Sequence, residues 1–141
     1  VVPQIYLAEL GVKEASGHND GPRVEEYLRY TKLGPGHNWC ASFVCWTLGK
    51  AGVDNPRNPW CPALFPDKRV VWCRGDAMSH ISRADIFGIY FPSLKRIGHV
   101  GFIDTRTDDY IITVEGNADN AVIRKRRSVH SIYKVANWIN K

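Results

Sequence analysis

The chain has 141 residues, 44% of them hydrophobic and 23% charged, with five tryptophans, six tyrosines and a formal net charge of +5. That length and composition exclude an intrinsically disordered chain and fit one domain able to bury its own core, so its four cysteines are not needed as staples. No apolar run reaches the length of a membrane span, and the positive charge favours anionic partners without choosing among them.

Taken in chain order, apolar residues first recur at helical spacing. Ile5 and Leu10 follow Pro3; Val24, Tyr27 and Leu28 follow the start signal "NDGP", where Pro22 suits a first helical turn. These predict two helices. A third begins near Trp39 in "GHNWCASFVCW", Gly36 to Trp46. Trp39, Phe43, Trp46 and Lys50 share one stripe, with Cys40, Val44, Leu48 and Ala51 on the next. Asn38 or His37 is placed to cap this helix, and Gly52 to stop it. The Pro-rich run Asp54 to Asp67 reads as a long structured loop and opens an insertion over about 54–80. Beyond it the pattern turns to period two in "ADIFGIYF", "GHVGFID", "DYIITVE" and "NAVIRKR". Helices first and strands last predict a single α+β domain over 1–141, with N-terminal helices packed on a C-terminal antiparallel β-sheet.

Cys40 falls in the first turn of the third helix, where the positive end of the macrodipole favours thiolate over thiol. Cys45, five residues on and about 140° around the helix, reads as a small core residue. A nucleophilic thiol needs a base, and among five histidines His99 stands out. It opens a strand that sets His99, Gly101 and Ile103 on one face, with small neighbours that leave room for a substrate. A hairpin turn centred on Thr107 sets Glu115 directly opposite His99, close enough to hold the imidazole, with Asn117 one diagonal step away as an alternative. A slip of one residue would rotate Glu115 to the other face.

The even cysteine count fits disulfides or free thiols equally. No CxxC pair occurs and the Cys and His spacings follow no zinc module, so no metal is expected. The basic run "RKRR", Arg124 to Arg127, alternates faces along a strand, so nucleic acid is not an expected partner.

The order "NWCASFVCW", "GHVGFI", "VEGN", preceded by "LGVKEASGHNDGPRVEEYL", resembles the cysteine, histidine-dependent amidohydrolase/peptidase (CHAP) domain from about Leu10 to about Asn120. These domains belong to the papain-like cysteine peptidases that cut bacterial peptidoglycan. The resemblance implies a papain-like fold, Cys40 as nucleophile, His99 as general base, Glu115 as the residue that orients it, and Asn117 at a polar position just after. It implies cleavage either of the amide joining sugar to stem peptide, an N-acetylmuramoyl-L-alanine amidase activity, or of a peptide bond in the stem or cross-bridge, with no cofactor. A monomer is expected. The location implied is secreted, periplasmic or cell-wall associated, and Val1, which is not an initiator, fits a trimmed targeting segment. A phage-type lysin, a wall-remodelling enzyme and a toxin guarded by an immunity or inhibitor protein are all compatible with the motif. The alternative from another class is a non-catalytic module that binds cell wall or another polyanion.

The chain departs from the family pattern in two places. Many members carry a Gly-Asp-Ile turn before the histidine strand, where this chain has Ala84 ahead of Asp85. Some papain-like enzymes also place a Gln before the nucleophile; here Trp39 stands there, which leaves the Cys40 backbone N–H and the Asn38 side chain as the expected oxyanion donors. The insertion with Trp60, Cys61, Trp72 and Cys73 is expected to form a packed lid over the sheet, tied by a Cys61 to Cys73 disulfide. Trp39, Trp60, Trp72 and Gly98 are the expected substrate-holding residues.

Overall fold

A computed structural model of the chain describes residues 1–140. Three helices come first, α1 (Val2–Ala8), α2 (Pro22–Tyr30) and α3 (Cys40–Lys50). Six strands follow, β1 (Val70–Cys73), β2 (Ile86–Phe91), β3 (Arg96–Arg106), β4 (Tyr110–Ala118), β5 (Ala121–Ser128) and β6 (Lys134–Ala136). The strands form one antiparallel sheet in the order β1, β6, β2, β3, β4, β5. The domain is α+β, as its patterning predicts. Four strands are legible in the sequence; β1 and β6, only four and three residues long, complete the sheet at one edge.

Helix α3 holds the two parts together. Every residue from Cys40 to Leu48 is buried, because α2 covers one side and strands β3 and β4 the other. Phe43 packs edge-on to both Tyr27 of α2 and Phe102 of β3. Truncating a fully buried phenylalanine of this kind to alanine costs about 3–5 kcal/mol. The close approach of α3 to β4 needs a residue with no side chain at Gly116, where a Cβ would stand 2.9 Å from both Phe43 and Trp39.

Buried hydrogen bonds fix the start of α3. The Trp39 indole is wholly buried, stacks on Tyr27 and donates to Glu14 Oε2 at 2.8 Å; Tyr27 Oη donates to Glu9 Oε1 at 2.6 Å. The N-cap position belongs to Trp39, with no side-chain cap, so neither Asn38 nor His37 serves as the cap the sequence suggests. The indole anchor does the positioning instead. It leaves the first N–H groups of α3 without a capping side chain, directly where Cys40 begins the helix.

The 54–80 insertion is not a single lid. It winds through two short 3-10 turns, Cys61–Leu64 and Asp67–Arg69, then supplies edge strand β1 and a third turn at Met78–His80. Nor does the expected Cys61 to Cys73 disulfide exist: both are free thiols, Cys61 buried against Cys40 and Cys73 exposed on β1. The reason is geometric, since β1 is drawn to the sheet edge by pairing with β6 while Cys61 is drawn to the start of α3.

At the turn before β2, Ala84 has φ 72°, a left-handed backbone that glycine adopts more readily. The turn is held by Ala84 N–H donating to the Ile103 carbonyl at 2.7 Å, and by Asp85, whose carboxylate accepts from Ser82 N–H and Asn137 Nδ2. Burial raises the Asp85 carboxyl to about 6.

Candidate active site

Cys40, His99 and Glu115 converge where the N-terminus of α3 meets strands β3 and β4. His99 Nε2 lies 2.7 Å from Glu115 Oε1, and the imidazole neighbours the Cys40 thiol, whose proximity raises its pKa. The imidazole thus stands between thiol and carboxylate, the order a thiol–base–acid triad would need.

The route by which Glu115 reaches His99 differs from the direct opposition expected. Next to the turn, Arg106 pairs with Ile111 and Thr105 with Ile112; past a bulge at Asp104, Ile103 pairs with Thr113 and Phe102 with Val114. Continued by one residue, that register sets Glu115 across from Gly101, not from His99. Glu115 therefore meets His99 on the diagonal, reaching over a residue with no side chain. A Cβ at position 101 would stand 2.9 Å from Glu115 Cγ and 2.8 Å from Phe87. The bulge matters as much as the glycine. Without its extra residue the turn-side register would run on and set Glu115 opposite Phe102, on the other face of the sheet.

Glu115 is wholly buried yet ionised. Burial favours its neutral form, but Arg127, His99 and Thr113 outweigh that and hold the carboxyl down at about 2. Arg127 grips it with two bonds, Nε to Oε2 at 2.5 Å and Nη2 to Oε1 at 2.7 Å, while Thr113 Oγ1 donates to Oε2 at 2.6 Å. In the sequence Arg127 reads as one of four strand charges and Thr113 carries no signal of its own. The signal was there: on the β4–β5 hairpin Arg127 pairs with Ile111, which shares its face with Thr113 and Glu115.

Charge is distributed across the three residues. Burial alone would lower the His99 pKa; hydrogen bonds to the Cys40 sulfur and Glu115, with their negative charges, raise it to about 9. Cys40 is held well below the ordinary thiol range, first by the hydrogen bond from the Cys61 thiol, then, against burial, by His99 and the Val100 backbone N–H. Cys61 moves the other way, kept protonated by the bond it gives to Cys40 and by burial. The Cys40 and His99 shifts both run in the direction that favours a Cys40 thiolate beside a His99 imidazolium. On the same helix, burial pushes the Cys45 thiol up to about 11, and its sulfur donates to the Asn58 carbonyl at 3.6 Å. Cys45 is a core residue.

The pair sits between two clefts. One, of about 290 Å³, is lined by His37, Asn38, Cys40, Trp60, Cys61 and Arg96, with Gly98 at its wall. The other, of about 300 Å³, lies beyond His99 and is lined by Phe91, Asn117, Lys125 and Arg127 among others. Asn117 Nδ2 donates to Asn38 Oδ1 at 3.3 Å, so Asn117 braces Asn38 across the site and does not hold His99. Trp60, 55% exposed, lines the same cleft as Cys40 and Gly98. The other two expected substrate residues are placed elsewhere. Trp39 is buried under α2 by its bond to Glu14, and Trp72 packs in a second apolar cluster with its indole bonded to the Asp76 carbonyl. Their aromatic bodies serve folding. Among the described residues no cluster of three or more His, Cys, Asp or Glu side chains is arranged to hold a metal ion, and no helix is long and apolar enough to cross a membrane.

No protein-family model matches this chain, and no curated protein matches it either.

Proposed function

We propose that this chain is a cysteine amidohydrolase or peptidase that cuts an amide bond of bacterial peptidoglycan, built on a papain-like arrangement of a helix-borne thiol and a sheet-borne histidine. The observation that carries this reading is the convergence of a thiolate-prone Cys40 at the start of α3, a His99 in contact with it and a buried Glu115 that holds His99.

Chemically, the Cys40 thiolate attacks the amide carbonyl, and negative charge moves to the carbonyl oxygen. The Cys40 backbone N–H, unpaired within the helix, and the Asn38 amide are the donors at hand for that oxyanion. His99 then gives its proton to the leaving amine, so the C–N bond breaks and a thioester remains. Water, losing a proton to His99, attacks the thioester and frees Cys40. Glu115 orients the imidazole and stabilises its charged form throughout. No cofactor enters this cycle.

The choice of polymer rests on the resemblance to CHAP domains and on charge. Arg96 lines one cleft and Lys125 the other, so the ground flanking Cys40 and His99 suits the carboxylates and anionic polymers of bacterial wall. A secreted, periplasmic or wall-associated location goes with that substrate, as does an immunity or inhibitor protein if the chain acts as a toxin.

Purified peptidoglycan digested by the protein and by Cys40→Ala tests the reading, with released fragments identified by mass spectrometry. New amine and carboxyl termini with the wild type, absent with the variant, are expected, and their chemistry names the bond. Two folded proteins that bind peptidoglycan and release nothing would favour the binding-module alternative.

A further inference from the structure

Cys61 is a second thiol in the site that the hydrolytic cycle does not consume. It sits at the start of a short 3-10 turn flanked by Trp60 and Pro62, and its sulfur lies 3.6 Å from that of Cys40. Both side chains are buried as residues, 4% and 5% exposed, yet both line the open cleft, so a small solute that reaches one reaches the other. Neither sulfur has another cysteine as partner: the four cysteines are free, Cys45 is engaged with the Asn58 carbonyl and Cys73 is exposed on β1. We infer that Cys40 and Cys61 form a reversible disulfide under peroxide, with Cys40 as the attacking sulfur and Cys61 as the resolving one.

Each atom is accounted for in the two steps. The Cys40 thiolate attacks one oxygen of hydrogen peroxide, forming an S–O bond and breaking the O–O bond; the departing hydroxide takes the proton of the His99 imidazolium and leaves as water. The Cys61 sulfur then attacks the Cys40 sulfenic acid, the S–O bond breaks, and the hydroxyl leaves with the Cys61 proton as a second water. The two sulfurs are oxidised by one electron each and the two peroxide oxygens are reduced. While Cys40 is an anion it holds the Cys61 proton in place; once Cys40 is a neutral sulfenic acid that restraint is gone, and the nearby Arg96 favours the Cys61 thiolate. The sulfurs must close from contact to about 2 Å, a shift of roughly 1.5 Å for side chains on two different short elements.

The consequence is protection with arrest. The disulfide removes the nucleophile, and it also shields Cys40 from the irreversible sulfinic stage of oxidation. The arrest of hydrolysis rests on the function proposed above; the disulfide itself does not.

Treatment of the folded protein with graded hydrogen peroxide, followed by non-reducing peptide mapping, tests this directly. In the wild type a peptide joining Cys40 to Cys61 is expected, two hydrogens lighter than its parts and released by dithiothreitol. In Cys61→Ser, with folding checked by circular dichroism, Cys40 is expected to advance to sulfinic acid that dithiothreitol does not reverse. Cys40→Ser is expected to leave Cys61 reduced. Sulfinic acid on Cys40 of the wild type with Cys61 still a thiol would overturn the inference, as would a disulfide to Cys73 or Cys45. Because the map reads thiols and not turnover, a protein that forms the disulfide but cuts no peptidoglycan would sink the hydrolase reading alone.

Discussion

Two buried carboxylates on neighbouring strands, Asp104 of β3 and Glu115 of β4, are built from similar parts and put to different use. Asp104 accepts from Tyr6 Oη at 2.6 Å, Arg83 Nε at 2.9 Å and Arg124 Nη1 at 2.9 Å; Glu115 accepts from Thr113, Arg127 and His99. Each has a hydroxyl and an arginine. The decisive difference is the third kind of partner. Asp104 faces a phenol and two guanidiniums, so it ties α1 to the sheet, and its arginines are about half exposed and contribute little as ion pairs. Glu115, itself wholly buried, faces a titratable imidazole that neighbours the Cys40 thiol. Burial and a titratable neighbour set the candidate site apart from a structural clamp built of similar parts.

The two are also linked through the backbone. Asp104 is the extra residue of the β3 bulge, and that bulge keeps Glu115 on the face of His99. The residue whose side chain ties α1 to the sheet is thus also the one whose extra backbone unit, whatever its side chain, sets the register on which the site depends.

The largest break in this comparison is Glu115→Gln against Asp104→Asn. Glu115→Gln is expected to cut kcat/KM by about 10³-fold to 10⁴-fold, the range for replacing the orienting acid of such a triad. Asp104→Asn, which keeps the Tyr6 hydrogen bond, is expected to leave hydrolysis within a few-fold. Equal losses in the two variants would show that the Glu115 effect is structural. Arg127→Ala comes next. It leaves a buried carboxylate without its main cation and is expected to cost about 3–5 kcal/mol in urea unfolding, whereas Arg124→Ala, at an exposed rim, is expected to cost under about 1 kcal/mol.

The pH dependence sharpens the contrast further. Glu115 is depressed from 4.5 to about 2, so its contribution to stability is full above pH 4.5 and is lost as pH falls toward 2. His99 is raised from 6.5 to about 9, so its contribution is full below pH 6.5 and is lost as pH rises through 9. Hydrolysis should fall along the same alkaline limb, as the imidazolium that protonates the leaving amine disappears. In Glu115→Gln that limb is expected at lower pH, because His99 loses a negative neighbour; an unmoved limb would sever Glu115 from His99 in function. The smallest effect concerns the turn ahead of β2. Ala84→Gly removes a left-handed alanine and is expected to raise stability by about 0.5–1 kcal/mol with activity unchanged; a loss would show that the Ala84 methyl group packs better than its backbone strains.

Much of the site was legible because it rests on local chemistry. Cys40 at a helix start and His99 on a period-two strand both follow from patterns a few residues long. A hairpin centred on Thr107 misses the true register by two residues, and Glu115 still shares a face with His99 because an even slip preserves the face. Arg127 and Cys61 were not found as site residues. Arg127 lies 12 positions from Glu115 and Cys61 lies 21 from Cys40, and no periodicity connects such pairs.

What the sequence by itself determined is the set of elements and the chemical types they carry: three helices, four of six strands, a thiol at a helix end and a histidine flanked by small residues. Those follow from side-chain periodicity and turn chemistry, which act over one or two turns of chain. Tertiary structure alone decided the bulge at Asp104, the diagonal contact over Gly101, the burial of Trp39 and Trp72 away from the clefts, and the meeting of Cys40 with Cys61. Each of these is a choice among packings that the local pattern leaves equally open, and it is settled by which buried polar groups find partners when helix and sheet close together.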